Sequence, residues 1–297
     1  MPVVRTFGVD VASFQSTSMT SFARAGARFV IVKLTEGTTY VNLKAAYQIK
    51  SAHENHMYVH GYHFATFGSD AKRAKEEANH FVKWAKQLNI SKKRYLLLDW
   101  ESGDGNNINN GKAASAKAII AFMKVCQKAG YKVGLYSGAS CLRNNIDTSE
   151  VIKEFGDCLW VASYAVSGRI DTPNYNYFPS MNGVAIWQFT DNWCGLCVDG
   201  NVDLLGITGD SRNPTEIKPK PAAKPKPKIP KIVYVPVINN NPNYKVRLLD
   251  KDGHYTQYIV TNSRWKVLGE RTIKDMKCYK LGTEKQYVPA KFTKVVE

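Results

Sequence analysis

Long apolar runs are missing from this chain. The opening residues, Met1-Pro2-Val3-Val4-Arg5-Thr6-Phe7, carry no charged segment leading into an apolar stretch, and no later run is long enough to span a bilayer. Neither a secretory leader nor a membrane anchor is therefore expected. The matching expectation is synthesis in a cytoplasm and retention there until another agent releases the protein. Cysteine is also sparse in pattern. Cys126, Cys141, Cys158, Cys194, Cys197 and Cys278 form no disulfide framework, which suits a reducing compartment. The one close pair, Cys194-Gly195-Leu196-Cys197, lacks a second half and has no histidine pair at ligand spacing. It reads as a loop with two free thiols or one adventitious disulfide, because a structural zinc needs four ligands. No metal and no cofactor are expected.

What is present is uneven. The formal net charge is +16 over 297 residues. Residues 1–210 hold 22 Lys/Arg against 18 Asp/Glu, whereas residues 211–297 hold 19 against 7. The basic excess belongs to the last third, and a field of that sign favours polyanions such as nucleic acid, anionic lipid or wall phosphate polymers. Within it, residues 211–231 alternate proline (Pro214, Pro219, Pro221, Pro225, Pro227, Pro230) with lysine, the pattern of an extended, self-repelling linker. No aromatic residues interleave there to stack bases, so neither nucleic acid nor a membrane is the expected partner. Residues 232–297 break into short β-like runs separated by turns such as Asp252-Gly253 and Asn262-Ser263, which predicts a small all-β module.

Residues 1–210 read differently. Short apolar runs at 7–12, 29–34, 57–64, 95–101, 132–136, 158–164, 183–189 and 201–205 alternate at first with helical stretches, of which 70–88 and 112–129 are the clearest. Little helical sequence separates the last three. Eight strands with helices after the first five predict an α/β fold, a closed and irregular (β/α) barrel.

The stretch Tyr95-Leu96-Leu97-Leu98-Asp99-Trp100-Glu101 is the most informative. Residues two apart on a strand point to the same side, so Asp99 and Glu101 project together, roughly 6–7 Å apart at Cα. Two carboxylates that close push their pKa values apart, so that one holds a proton while the other has lost it. In such a barrel the functional end is formed by the C-terminal ends of the strands. Asp10, Lys33, Glu36, Tyr62, Phe64, Asp99, Glu101, Tyr136, Tyr164 and Gln188 fall late in predicted strands, and Asp203 lies in the eighth. Acids among aromatic faces suit a sugar polymer, whose rings pack on aromatics while acids protonate the glycosidic oxygen.

Residues 4–207 resemble the glycoside hydrolase family 25 lysozymes of the Chalaropsis type, which are N-acetylmuramidases. The resemblance rests on Gly8-Val9-Asp10-Val11-Ala12-Ser13-Phe14-Gln15, Lys33-Leu34-Thr35-Glu36-Gly37, Gly61-Tyr62-His63-Phe64, Leu98-Asp99-Trp100-Glu101, Gly134-Leu135-Tyr136-Ser137, Trp160-Val161-Ala162-Ser163-Tyr164, Ile186-Trp187-Gln188-Phe189 and Gly200-Asn201-Val202-Asp203-Leu204, in this order. It implies an irregular (β/α)5β3 barrel and hydrolysis of the β-1,4 bond between N-acetylmuramic acid and N-acetylglucosamine in peptidoglycan, with retention. Glu101 then matches the general acid/base, and Asp10, Asp99 and Asp203 the other acidic positions, with Asp199 the alternative if the register of the eighth strand differs. The nucleophile, a carboxylate or the substrate's acetamide, stays open. Lys33, Glu36, Tyr62, Phe64, Trp100, Tyr136, Trp160, Tyr164, Trp187 and Gln188 are the candidate substrate-binding residues. Core packing is the competing reading for Phe64, Trp100 and Trp187, and an ion pair inside the barrel for Lys33. His63 points away from Tyr62 and Phe64 and is read as structural.

Residues 244–296 resemble the cell-wall-binding repeat of lactobacillar surface-layer proteins, through Leu249-Asp250-Lys251-Asp252-Gly253, Ser263-Arg264-Trp265-Lys266-Val267, Ile273, Cys278-Tyr279-Lys280-Leu281-Gly282 and Gln286-Tyr287-Val288. That resemblance implies an anchor to anionic wall polymers such as teichoic acid. Catalytic domain, linker and anchor in this order are the layout of a phage endolysin, released at lysis through a holin onto a Gram-positive, lactobacillus-like wall. A host autolysin, a catalytically idle wall-binding protein, a chitinase-like glycosidase and a nucleic-acid binder are the competing readings.

Overall fold

The computed structural model describes residues 5–103, 105–209, 232–238 and 241–296, and the expected linker at 211–231 lies outside them. The chain divides into two compact units, Met1–Thr215 and Glu216–Glu297.

In the first unit the strands are β1 (Thr6–Val11), β2 (Phe29–Glu36), β3 (Tyr40–Val41), β4 (Tyr58–Phe64), β5 (Tyr95–Asp99), β6 (Lys132–Gly138), β7 (Leu159–Ala162), β8 (Val184–Thr190) and β9 (Asp199–Asp203). They run in the order β1-β9-β8-β7-β6-β5-β4-β2-β3, and β1 also pairs with β2, which closes the sheet on itself. Helices α1 (Thr20–Ala25), α2 (Ala45–Glu54), α3 (Ala71–Gln87), α4 (Lys112–Lys128), α5 (Ala139–Asn145) and α6 (Thr148–Phe155) all precede β7. The two-residue β3 only flanks β2, so the result is the irregular barrel expected, with helices following the first five of its eight remaining strands.

Side-chain alternation sorts the apolar residues into two layers. Val9, Val30, Val32, Leu96, Leu98 and Val161 face outward into the core shared with the helices. Phe29, Ile31, Leu97, Trp160 and Ile186 face inward and fill the barrel. Gly8 permits this filling: a Cβ there would stand 2.4 Å from the Phe29 ring. α3 starts where the sequence predicts, because the Asp70 carboxylate accepts hydrogen bonds from the Lys72 and Arg73 amides. His63 lies in the outer layer, between Thr35 Oγ1 at 2.8 Å and Glu77 Oε2 at 3.0 Å.

One expectation about the barrel needs correcting. The apolar pattern places the last strand at 201–205, with Asp203 among the rim residues. β9 instead begins at Asp199 and runs antiparallel to both β8 and β1. Residues 191–198 are too few for the crossover that a parallel return requires. They form a tight connection in which Cys194 and Cys197 adopt φ of 54° and 51°. Both thiols are free, as are those of the other four cysteines.

The second unit contains β10 (Ile232–Val235), β11 (Lys245–Leu249), β12 (Tyr255–Val260), β13 (Ser263–Lys266), β14 (Gly269–Ile273), β15 (Met276–Lys280), β16 (Tyr287–Pro289) and β17 (Lys294–Val295). They form a three-stranded sheet, β13-β10-β17, and a five-stranded sheet, β12-β11-β16-β15-β14. Val233, Val235, Val246, Leu248, Ile259, Tyr279 and Val288 make its core. β14 was not expected. It is polar along most of its length and is defined by its hairpin with β15, turned by Lys274 and Asp275 at φ of 47° and 61°.

Candidate active site

The C-terminal ends of the parallel strands gather the titratable residues at one rim. Asp10 leaves β1, Lys33 and Glu36 end β2, Tyr62 and Phe64 end β4, Asp99 ends β5 with Glu101 just beyond, Tyr136 lies on β6 and Gln188 on β8. Because β9 is antiparallel, its first residue reaches this rim, and Asp199 stands opposite Asp10 in the ladder.

Hydrogen bonds join much of the rim. Gln188 Nε2 donates to Asp10 Oδ2 at 2.9 Å, and Asn201 Nδ2 donates to the same oxygen at 2.7 Å. Gln188 Oε1 accepts from the hydroxyls of Tyr136 at 2.9 Å and Tyr164 at 2.6 Å. The amide is thus locked between two phenols and one carboxylate. Asn201 Oδ1 in turn accepts from Trp160 Nε1 at 2.7 Å. On the other side, Lys33 Nζ pairs with Glu36 Oε2 at 2.7 Å and lies 4.8 Å from the Phe64 ring centroid and 5.5 Å from that of Tyr40.

Asp99 is the exception to this satisfaction. It is 6 % exposed, and its Oδ1 is buried with no hydrogen-bond partner among the described residues. A bare buried carboxyl oxygen is costly unless something else fills the position. Burial, and then the charge of Glu101, hold the Asp99 carboxyl well above the usual carboxylate range. Burial and the charge of Asp10 raise Glu101 as well, while Lys33 opposes both shifts. Asp199 is pushed up to about 9 by burial and by Asp10 beside it. Burial also raises Asp10, against the pull of its hydrogen bonds from Asn201 and Gln188. Around neutral pH Asp199 is accordingly the protonated member of that pair, able to donate to Asp10. The rim combines an acid that retains its proton, charge-accepting carboxylates and phenolic faces, which is equipment for acid-assisted cleavage of a polar bond.

Three of the expected site residues lie elsewhere, and a fourth lies beneath the rim. Asp203 is fully buried on β9 at the opposite end of the barrel, where it stands across from Thr6. Its carboxylate accepts from the Leu205, Gly206 and Thr208 amides and from the Thr208 hydroxyl, tying down the segment that closes that end. The antiparallel direction of β9 is the reason: it exchanges Asp203 for Asp199. Trp100 and Trp187 point outward, since their strand neighbours Asp99 and Gln188 point in. Trp100 Nε1 donates to the Gly68 carbonyl at 2.9 Å and Trp187 Nε1 to the Ser163 carbonyl at 2.8 Å, and both rings belong to the outer core. Trp160 does point inward but is 2 % exposed, with its ring centroid 4.3 Å from that of Tyr136, so it forms the floor beneath the site.

Two further residues were not anticipated. Asn201 shares Asp10 with Gln188, and Tyr40 flanks Lys33. The signal for Asn201 was its alternation with Asp199 and Asp203 on one strand face; for Tyr40 there was none, because it sits on the two-residue strand β3.

The sequence profile of the glycosyl hydrolases family 25 matches residues 9–194. The lysozyme of Lactococcus phage mv1 is 43% identical over 181 residues, which cover 61% of this chain and 90% of that one. The lysozyme of Streptococcus phage Cp-1 is 32% identical over 212 residues, covering 70% of this chain and 56% of its own length, so this chain spans only about half of that longer protein. Among solved structures, the multimodular pneumococcal cell wall endolysin from phage Cp-1 complexed with choline shares the fold with a TM-score of 0.59 at 22% identity, over 96% of this chain and 76% of that one. With the profile matched across most of the barrel and a phage lysozyme covered over nine-tenths of its length, this chain belongs to glycosyl hydrolases family 25, as a lysozyme of the phage endolysin type.

Proposed function

We propose that the chain hydrolyses the β-1,4 bond between N-acetylmuramic acid and N-acetylglucosamine, with Glu101 as the proton donor to the leaving oxygen and retention at the anomeric carbon. The observation that carries this reading is the unpartnered Asp99 Oδ1 beside Glu101. A carboxyl group left bare in a polar cleft is suited to orient the acetamide of a bound sugar, whose N–H would supply the missing donor. The acetamide oxygen then serves as nucleophile toward the anomeric carbon as Glu101 protonates the departing sugar. Asp10, held by Gln188 and Asn201 and served by protonated Asp199, stabilises the oxocarbenium-like charge from the other side of the cleft. Tyr62, Phe64, Tyr136 and Tyr164 offer ring faces to the pyranose rings, and Lys33 with Glu36 borders the cleft.

The C-terminal unit anchors the enzyme to an anionic polymer of the wall, such as teichoic acid. Support comes from its basic composition and from its likeness to the surface-layer wall-binding repeat. The choline held by the Cp-1 endolysin belongs to that protein, but it fits the same plan of one module that cuts and one that holds. Release at lysis through a holin onto a lactobacillus-like wall completes the reading.

Mass spectrometry of digested peptidoglycan tests the bond assignment. New reducing ends on N-acetylmuramic acid are expected; reducing N-acetylglucosamine, or a cut peptide, would reject it.

A further inference from the structure

Arg247 lies on the exposed face of β11, within reach of two aromatic rings. Its guanidinium carbon is 4.8 Å from the ring centroid of Tyr255 and 5.3 Å from that of Tyr258. The ladder explains how both rings reach it. Arg247 stands opposite Tyr258, and an extra residue in β12 shifts the register so that Tyr255 stands opposite Leu249. Without that bulge Tyr255 would alternate to the other face. Both rings are open to solvent, at 66 % and 54 % exposure. Nothing in the core explains why two large aromatics are held in water.

Charge gives the second observation. Lys251, Lys277 and Lys280 in the same unit are each paired with a carboxylate, from Asp252, Glu270 and Glu284. Among the described residues Arg247 has no carboxylate partner; its contacts are the two rings. Lys245, exposed two residues earlier on the same strand face, adds a second cation. The guanidinium lies within cation–π distance of both rings, and among the described residues no carboxylate takes its N–H groups. A fork fixed in this way is preorganised for two oxygens of one phosphate.

We infer that Arg247, clamped by Tyr255 and Tyr258, is the phosphate-reading site through which the C-terminal unit holds a polyol-phosphate polymer of the wall. The inference rests on the anchoring role proposed above and names its surface. Arg247 takes the phosphate, and the outer edges of the two rings pack against the C–H faces of the polyol or its sugar substituents. A single-stranded nucleic acid also offers phosphate, and bases could stack on the exposed rings; competition between the two polymers separates these occupants.

The test uses the full chain carrying Glu101→Gln, so that walls are not digested during the measurement. Binding is measured on lactobacillar walls before and after hydrofluoric acid strips their phosphodiester polymers. Arg247→Ala and the double change Tyr255→Ala/Tyr258→Ala should each weaken binding to intact walls by about tenfold or more, the loss expected when hydrogen bonds to a charged group disappear. Arg247→Lys should restore only part of the affinity, and all variants should match the parent on stripped walls and in thermal unfolding. Binding by Arg247→Ala and by the double variant within twofold of the parent on intact walls would overturn the inference, and so would full recovery in Arg247→Lys. Stronger competition by a single-stranded oligonucleotide than by purified teichoic acid would overturn it in favour of nucleic acid. If the parent itself binds stripped and intact walls equally, the anchoring role falls first and the inference falls with it.

Discussion

Asp99 and Asp203 are both buried aspartates on the inner face of one barrel, at its two ends. Asp203 accepts four hydrogen bonds from the segment it pins. Asp99 keeps an oxygen with no donor among the described residues. The first arrangement is what a folded chain does with a carboxylate when stability is the only demand. The second leaves a buried polar group unsatisfied, a cost worth bearing only where a substrate completes the site. The end that holds Asp203 is tied down by its own chain, and the end that holds Asp99 is the one to which the proposed substrate is assigned.

The largest expected effect lies with the neighbour of Asp99. Glu101→Gln should lower kcat by about 10²–10⁴-fold, the usual contribution of a positioned acid, without weakening the fold. Turbidity clearing of killed lactobacilli together with a thermal melt checks both halves. Near-normal clearing would remove Glu101 from the chemistry.

The two aspartates can then be set against each other by the same isosteric change. Asp203→Asn should destabilise the protein by about 3 kcal/mol, because backbone N–H donors now face an amide that offers fewer acceptor sites and donors of its own. Specific activity per folded molecule should hold. Asp99→Asn should do the reverse. The Asp99 pKa is raised on folding, so the folded state keeps that proton more tightly than the unfolded state does. Stability from this group is therefore present at low pH and is lost as pH climbs from the ordinary carboxylate range through the raised value. An amide escapes this loss, so Asp99→Asn should melt higher than the parent at pH 7, by a margin that shrinks toward pH 4, while clearing activity falls. Urea titrations at the two pH values decide the matter, and a destabilised Asp99→Asn would break the contrast.

The smallest effect is a displacement. Lys33 holds down the pKa of both Asp99 and Glu101. Lys33→Met should raise Glu101 further and move the alkaline limb of the pH–activity profile to higher pH, since the proton donor is then lost later. A limb that stays in place would mean that another group sets it.

Much of the barrel was legible because its physics is local. The apolar runs that become β1, β2, β4 and β5, and the Asp70 cap of α3, are set by residues close in sequence. The proximity of Asp99 and Glu101 was legible from their spacing of two residues, although the strand itself ends at Asp99. Trp100 and Trp187 show the same rule disregarded: pleating that turns Asp99 and Gln188 inward must turn their neighbours out. Asp203 failed for a different reason. Asp199 was legible only as the alternative register, because side-chain alternation carries no information about which way the strand runs.

The sequence by itself determined the fold class, the eight-strand count, the carboxylate pair and the division into an acid-rich-rimmed barrel and a basic β module, because side-chain periodicity, turn residues and charge are properties of neighbouring positions. Only the tertiary structure decided that Asp199 rather than Asp203 meets Asp10, that Gln188 is locked by two tyrosines, and that Arg247 reaches two rings. Each of these depends on strand direction or on a bulge, and both are settled by which distant segments pair, where a change of one residue in register or a reversal of one strand moves a side chain to another face or another end.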